Sequence, residues 1–153
     1  MKPGVFGFLA LTAAWSATAP ALAAEAACPR VEITRVQPAA SPGTRPVASA
    51  RDGVVQVELA PIVQLSDIAA VALSDDAHPA LLLGFTPDGA RRLEEATTGH
   101  DGLRIAFVVD DDALLSVVWE GPYGIGRNGM QINMAAEGKA AEVAARIGPC
   151  LAE

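Results

Sequence analysis

The chain has 153 residues, 51% of them hydrophobic, with 11 basic and 18 acidic side chains and a formal charge of −7 at pH 7. Its length suits one domain with a buried core. The acidic balance argues against nucleic acid or an anionic membrane surface as partner, and favours solubility.

The first residues point to export. Lys2 precedes an apolar run from Val5 to Trp15, and Ala21-Leu22-Ala23 offers small residues where a signal peptidase reads. Residues 1–23 are therefore expected to be a signal peptide cleaved between Ala23 and Ala24, which removes Lys2 and no acid and leaves −8. The run is shorter than the about 20 apolar residues of a membrane span. No second long apolar segment follows, so no membrane span is expected after signal removal, and the location is expected to be periplasmic. Lipidation at Cys28 would want a Leu-like residue three positions earlier, where Glu25 stands. Cys28 and Cys150, an even pair in an oxidising compartment, read as a disulfide; two free thiols or an intermolecular bridge are the alternatives.

Residues 24–52 read as an N-terminal segment and linker. Val31, Ile33 and Val36 suit a short strand, and Pro38, Pro42, Gly43 and Pro46 then suggest an exposed connection. Residues 53–153 read as the folded domain. Val54, Val55, Val57 and Leu59 mark a strand stopped by Pro61. Ser66 suits the N-cap of a short helix through Asp67-Ile68-Ala69-Ala70, before a strand starting at Val71 and Leu73. Leu81 to Phe85 is a continuous apolar strand. Thr86-Pro87 is the clearest helix start, with a capping hydroxyl, a proline where no N–H partner is needed, and Asp88 at the positive end of the dipole. Ala90, Leu93 and Thr97 form its inward stripe, Arg91 and Glu95 pair one turn apart, and Gly99 ends it. Ile105–Val109 and Leu114–Trp119 read as a hairpin turning at Asp110-Asp111-Asp112. Gly121–Gly129 is a glycine-rich loop, and Met130, Ile132 and Met134 alternate as a last strand. Ala140, Val143, Ala144 and Ile147 give a final amphipathic helix stopped by Gly148-Pro149. Hairpin strands with two main helices imply an α+β fold: an antiparallel sheet with both helices on one face.

Ser66-Asp67-Ile68, Phe85-Thr86-Pro87-Asp88-Gly89-Ala90, Ile105-Ala106-Phe107-Val108-Val109-Asp110, Leu114-Leu115-Ser116 and Gly129-Met130-Gln131-Ile132 occur in one order. In that order, from about Val57 to Ile147, the chain resembles the periplasmic head of the first large loop of SecD/SecDF, membrane subunits that assist bacterial protein export. Two positions depart from the family wording: Val117-Val118 stand where a proline follows the Ser motif, and Asn133 where a glycine often closes the last strand. The resemblance implies the head's fold. It implies neither coupling to proton flow, which needs membrane helices, nor any catalytic residue.

The residues themselves offer little chemistry. His78 and His100 fall in expected loops without a Ser or Cys partner. Asp110–Asp112 are consecutive acids in a turn, a poor match to the spaced oxygens of a calcium loop. Gly124, Gly126 and Gly129 imitate a dinucleotide motif, but a strand follows them instead of a helix. No metal, cofactor or catalytic set is expected. Trp119, Tyr123, Ile125 and Arg127 are the candidate contact residues, because nine loop residues with four glycines cannot bury all their side chains. The expected function is a non-enzymatic module that binds protein or extended peptide in the periplasm. The alternative is a small secreted hydrolase, for which an acid pair such as Asp67 and Glu94 would have to converge.

Overall fold

The computed structural model describes residues 27–100, 102–118, 129–134, 136 and 138–151. Nine strands are assigned: β1 (Val31–Gln37), β2 (Thr44–Ser49), β3 (Gly53–Glu58), β4 (Val63–Gln64), β5 (Ile68–Leu73), β6 (Leu81–Phe85), β7 (Arg104–Val109), β8 (Asp112–Val118) and β9 (Met130–Ile132). Two α-helices, α1 (Pro87–Thr97) and α2 (Lys139–Ile147), accompany them.

The fold is α+β, but its strands form two sheets and are not all antiparallel. The larger runs β3-β2-β8-β7-β1-β4, and β2 lies parallel to β8 through Ala48↔Asp112 and Ser49↔Ala113. β1 divides its outer edge. Glu32 and Ile33 pair with Gln64 and Val63 of β4, whereas Val36 and Gln37 pair with Val57 and Gln56 of β3. The second pairing closes β1, β7, β8, β2 and β3 into a small ring. Its interior holds Val47, Val55, Val57, Ala106, Val108 and Ala113, the two alanines suiting so narrow a space. Thr34 is wholly buried and donates its hydroxyl to the Glu58 carbonyl at 3.0 Å, which removes the cost of a polar group there.

The smaller sheet, β5-β6-β9, is antiparallel. Between it, the helices and the outside of the ring lies a second core of Ile33, Leu81, Leu83, Leu93, Ile105, Phe107, Ile132, Val143 and Ile147. Strand β7 therefore buries both faces, Ala106 and Val108 into the ring and Ile105, Phe107 and Val109 against this core. That is why its sequence is a continuous apolar run and not an alternation.

Two sequence expectations need correction. Residues expected as an exposed linker form β2, in register with β3 from Thr44↔Glu58 to Ser49↔Gly53. Pro46 is tolerated there because it lies outside the Ala48–Ser49 stretch that pairs with β8, so its missing N–H breaks no bond on that side. The short helix expected at Ser66 is only a 3-10 turn, Leu65–Asp67, and β5 begins at Ile68. Asp67 accepts from the Gln64 N–H at 3.0 Å and holds the turn tight, so the chain leaves it extended. The expected helices otherwise stand as read. Thr86 accepts from the Gly89 N–H at 3.1 Å, and Leu93 and Thr97 of α1 and Ala140, Val143 and Ile147 of α2 are buried.

The ends of the chain meet. Cys28 and Cys150 form a disulfide across a separation of 122 residues, a closure worth about 2–5 kcal/mol in the chain-entropy account. Next to it Arg30 and Asp110 exchange backbone and side-chain hydrogen bonds, and Arg146 of α2 pairs with Asp110. Asp110 adopts φ 57° at the β7–β8 turn, a left-handed conformation that Asp and Asn tolerate.

Two outcomes follow from these contacts. Gly129 has φ 89°, and a Cβ there would lie 1.8 Å from the Leu83 carbonyl oxygen; Gly99 has φ 72° with nothing within 4 Å. Thermal denaturation should show Gly99→Ala costing about 1 kcal/mol, and Gly129→Ala costing several times more because β9 is pushed off β6. The Arg146 hydrogen bond, then the Arg30 N–H, hold the Asp110 carboxyl below the usual carboxylate range. Its stabilisation is thus present above the unfolded pKa of about 3.9 and is lost as pH falls through the lower folded value. Asp110→Asn keeps the turn. Denaturant titrations should show it less stable than wild type at neutral pH, by up to about 1 kcal/mol for so exposed a pair, with the gap closing at acid pH.

Candidate functional site

Two of the segments that carry the resemblance, Ser66-Asp67-Ile68 and Phe85-Thr86-Pro87-Asp88-Gly89-Ala90, meet in space as a joint. The Thr86 N–H donates to the Asp67 carbonyl at 2.8 Å. Arg92, on α1, pairs with the Asp67 carboxylate, which is 9% exposed. Gly89 faces Asp67 so closely that a Cβ would meet Asp67 Cβ and its carbonyl oxygen at 2.8 Å each. The Ser-Asp-Ile turn and the Thr-Pro-Asp-Gly-Ala helix start are therefore the two halves of one contact. Asp67 is occupied by Arg92 and the Gln64 N–H, and Glu94 is exposed, so these two acids do not form a free catalytic pair.

The remaining polar candidates are dispersed. His78 and His100 are exposed, and among the described residues no group of three His, Cys, Asp or Glu is placed to hold a metal ion. Asp110 and Asp111 are engaged by Arg146, Arg30 and Arg45. Trp119, Tyr123, Ile125 and Arg127 lie outside the described residues, as do residues 1–23. Arg35 lines a cleft of about 420 Å³ with Glu58, Arg92 and Glu95. Its guanidinium reaches the Ala96 carbonyl at 3.4 Å, at the negative end of α1, and its buried Nε has no partner. Two arginines and two glutamates leave that cleft without a dominant charge.

The other distinctive surface is the smaller sheet. None of the residues in β5, β6 and β9 carries a charge, in a chain where 19% do. α2 packs on β5 and β6 from the core side. On the opposite side Ala70, Ala72 and Gln131 are exposed, and Leu82 is half-buried. β5 pairs only with β6, so among the described residues its outer backbone edge has no strand partner. Strand edges are ordinarily blunted by charge, proline, a bulge or a cover; this one carries neither charge nor proline, has a register irregularity at Ile68/Ala70, and among the described residues has no covering strand. The sequence hid the feature, because Ala69–Ala70 reads as helix and not as an open edge.

No family model matches the chain, and no curated protein matches it. Two solved structures of SecDF are similar. One is SecDF in a super-membrane-facing form, at 20% identity and a TM-score of 0.57, covering 78% of this chain and 18% of that one. The other is SecDF described as a membrane component that enhances protein export, again at 20% identity, TM-score 0.57 and 78% of this chain, with 62% of that chain covered. The chain thus spans less than two thirds of either protein. Among the described residues no helix is long and apolar enough to cross a membrane. The likeness, over 78% of this chain, is one of fold: the chain carries a SecDF-like domain.

Proposed function

We propose that this protein is a non-enzymatic module of the periplasm that binds extended polypeptide, in association with protein export. The observation that carries the reading is the uncharged, partly open smaller sheet on a SecDF-like fold. Main-chain groups at a sheet edge, or an apolar sheet face, bind extended chains with little demand on sequence. A hydrolase has no comparable support, since Asp67 serves the joint with α1. Trp119, Tyr123, Ile125 and Arg127 are proposed contact residues on sequence grounds. Delivery rests on the expected signal of residues 1–23 and accords with the Cys28–Cys150 bridge, a bond of oxidising compartments.

Two measurements test this reading. Intact mass of the exported protein should correspond to a chain starting at Ala24; a product that keeps Val5–Trp15 or is lipidated at Cys28 overturns the delivery. In fluorescence anisotropy a labelled, permanently unfolded polypeptide should bind the mature protein, and its failure to bind overturns the module. Replacing Tyr123, Ile125 and Arg127 together by Ala should weaken binding by roughly tenfold, about 1.4 kcal/mol, with little change in melting temperature. A large loss of stability would make them core residues, and unchanged binding would place the interface elsewhere.

A further inference from the structure

We propose that the β5 edge, on the opposite side of the smaller sheet from β9, is a strand-addition site for an extended segment that is uncharged over its paired residues and basic at one end. The inference rests on the polypeptide-binding reading above and specifies its location and the charge of the ligand.

Three features converge on this edge. Its strand, Ile68-Ala69-Ala70-Val71-Ala72-Leu73, has no charge to solvate an unpaired backbone, and Leu73 is 37% exposed. An added strand would also find a floor. Gly148 at the end of α2 lies against Val71, its position for a Cβ being 3.7 Å from Val71 Cγ1. Ala141 and Ala145 share that flank of α2 by helical spacing and are exposed, so the wall beside the edge is made of small apolar residues. Arg146, on the other flank, is turned away to Asp110. The third feature is charge. Asp75 and Asp76 follow β5 after Ser74, are exposed, and have no ion pair among the described residues. At the other end of β5, Asp67 is already matched by Arg92. The unmatched charge is therefore negative and sits at one end, where it fits a lysine or arginine flanking the added strand.

The same charges disfavour a second copy of this chain. Two-fold antiparallel pairing of β5 with itself would set each Asp75–Asp76 pair beside Gln64–Asp67 of the other copy. Among the described residues the cations near that segment, Arg92 and Arg30, are already engaged by Asp67 and by Glu32 and Asp111, and both copies carry net negative charge.

The test uses the mature protein and synthetic ten-residue peptides of alternating Thr and Val. One set carries Lys-Lys at the N- or C-terminal end, and the counterpart carries Glu-Glu. One Lys-Lys peptide should bind roughly tenfold tighter than its Glu-Glu counterpart, the difference should disappear in Asp75→Asn/Asp76→Asn, and bound peptide should slow amide exchange across residues 68–73. Ala72→Lys, at an exposed position, should weaken the Lys-Lys peptide while leaving the melting temperature in place. Binding without slowed exchange at 68–73, or binding indifferent to Asp75 and Asp76, overturns this site but leaves the module reading standing. A protein that binds neither these peptides nor unfolded polypeptide overturns both.

Discussion

The contact of Asp67 with the start of α1 is the joint on which the arrangement of the two sheets depends. Asp67 closes the short turn after β4, an edge strand of the larger sheet, and precedes β5, the first strand of the smaller one. Its carbonyl takes the Thr86 N–H, its carboxylate takes Gln64 N–H and Arg92, and its backbone lies where Gly89 has no side chain. A buried carboxylate is costly unless paired and hydrogen-bonded, and this one is both. The turn that sends the chain from one sheet to the other is thereby fixed against the N-terminus of the helix that covers the core between them.

A second constraint is the double burial of β7. It is hydrogen-bonded to β1 and β8, and its residues face the ring on one side and the inter-sheet core on the other. Neither core is large, and each borrows the same strand as a wall. The disulfide and the Arg30–Asp110–Arg146 cluster tie β1, the β7–β8 turn and α2 together at one end of that strand. The charge cluster is half-exposed and contributes little by itself; its geometric effect is to hold the chain's beginning against its final helix.

These constraints explain why the recognised motifs are silent about chemistry. Thr86, Pro87, Gly89 and Asp67 are needed for a capped helix and a close approach, and a fold can keep them while its surface changes purpose. The surface that departs from ordinary practice is the uncharged smaller sheet, which is stabilised on its inner side by α2 and, among the described residues, left without a strand partner along β5. An edge of that kind is a hazard unless something binds it or the neighbouring charges restrict what can. Asp75 and Asp76 supply such a restriction.

Local chemistry determined much of this protein by itself. The Thr86 cap with Pro87, the inward stripe of α2 and the apolar run of Ile105–Val109 are short-range signals, because caps, helical spacing and burial are written within a few residues. The pairing of Cys28 with Cys150 was legible as one of several options from their number and the expected compartment, and only the fold brought their Cα atoms to 5.7 Å. Tertiary structure alone decided the rest. β2 runs through a proline and glycine context that reads as loop, yet it is held by β3 on one side and by parallel pairing to β8 on the other, partners more than sixty residues distant in the second case. The free edge of β5 is likewise invisible in sequence. Whether a backbone N–H meets a neighbour depends on which strands are placed beside it, and no residue encodes that placement alone.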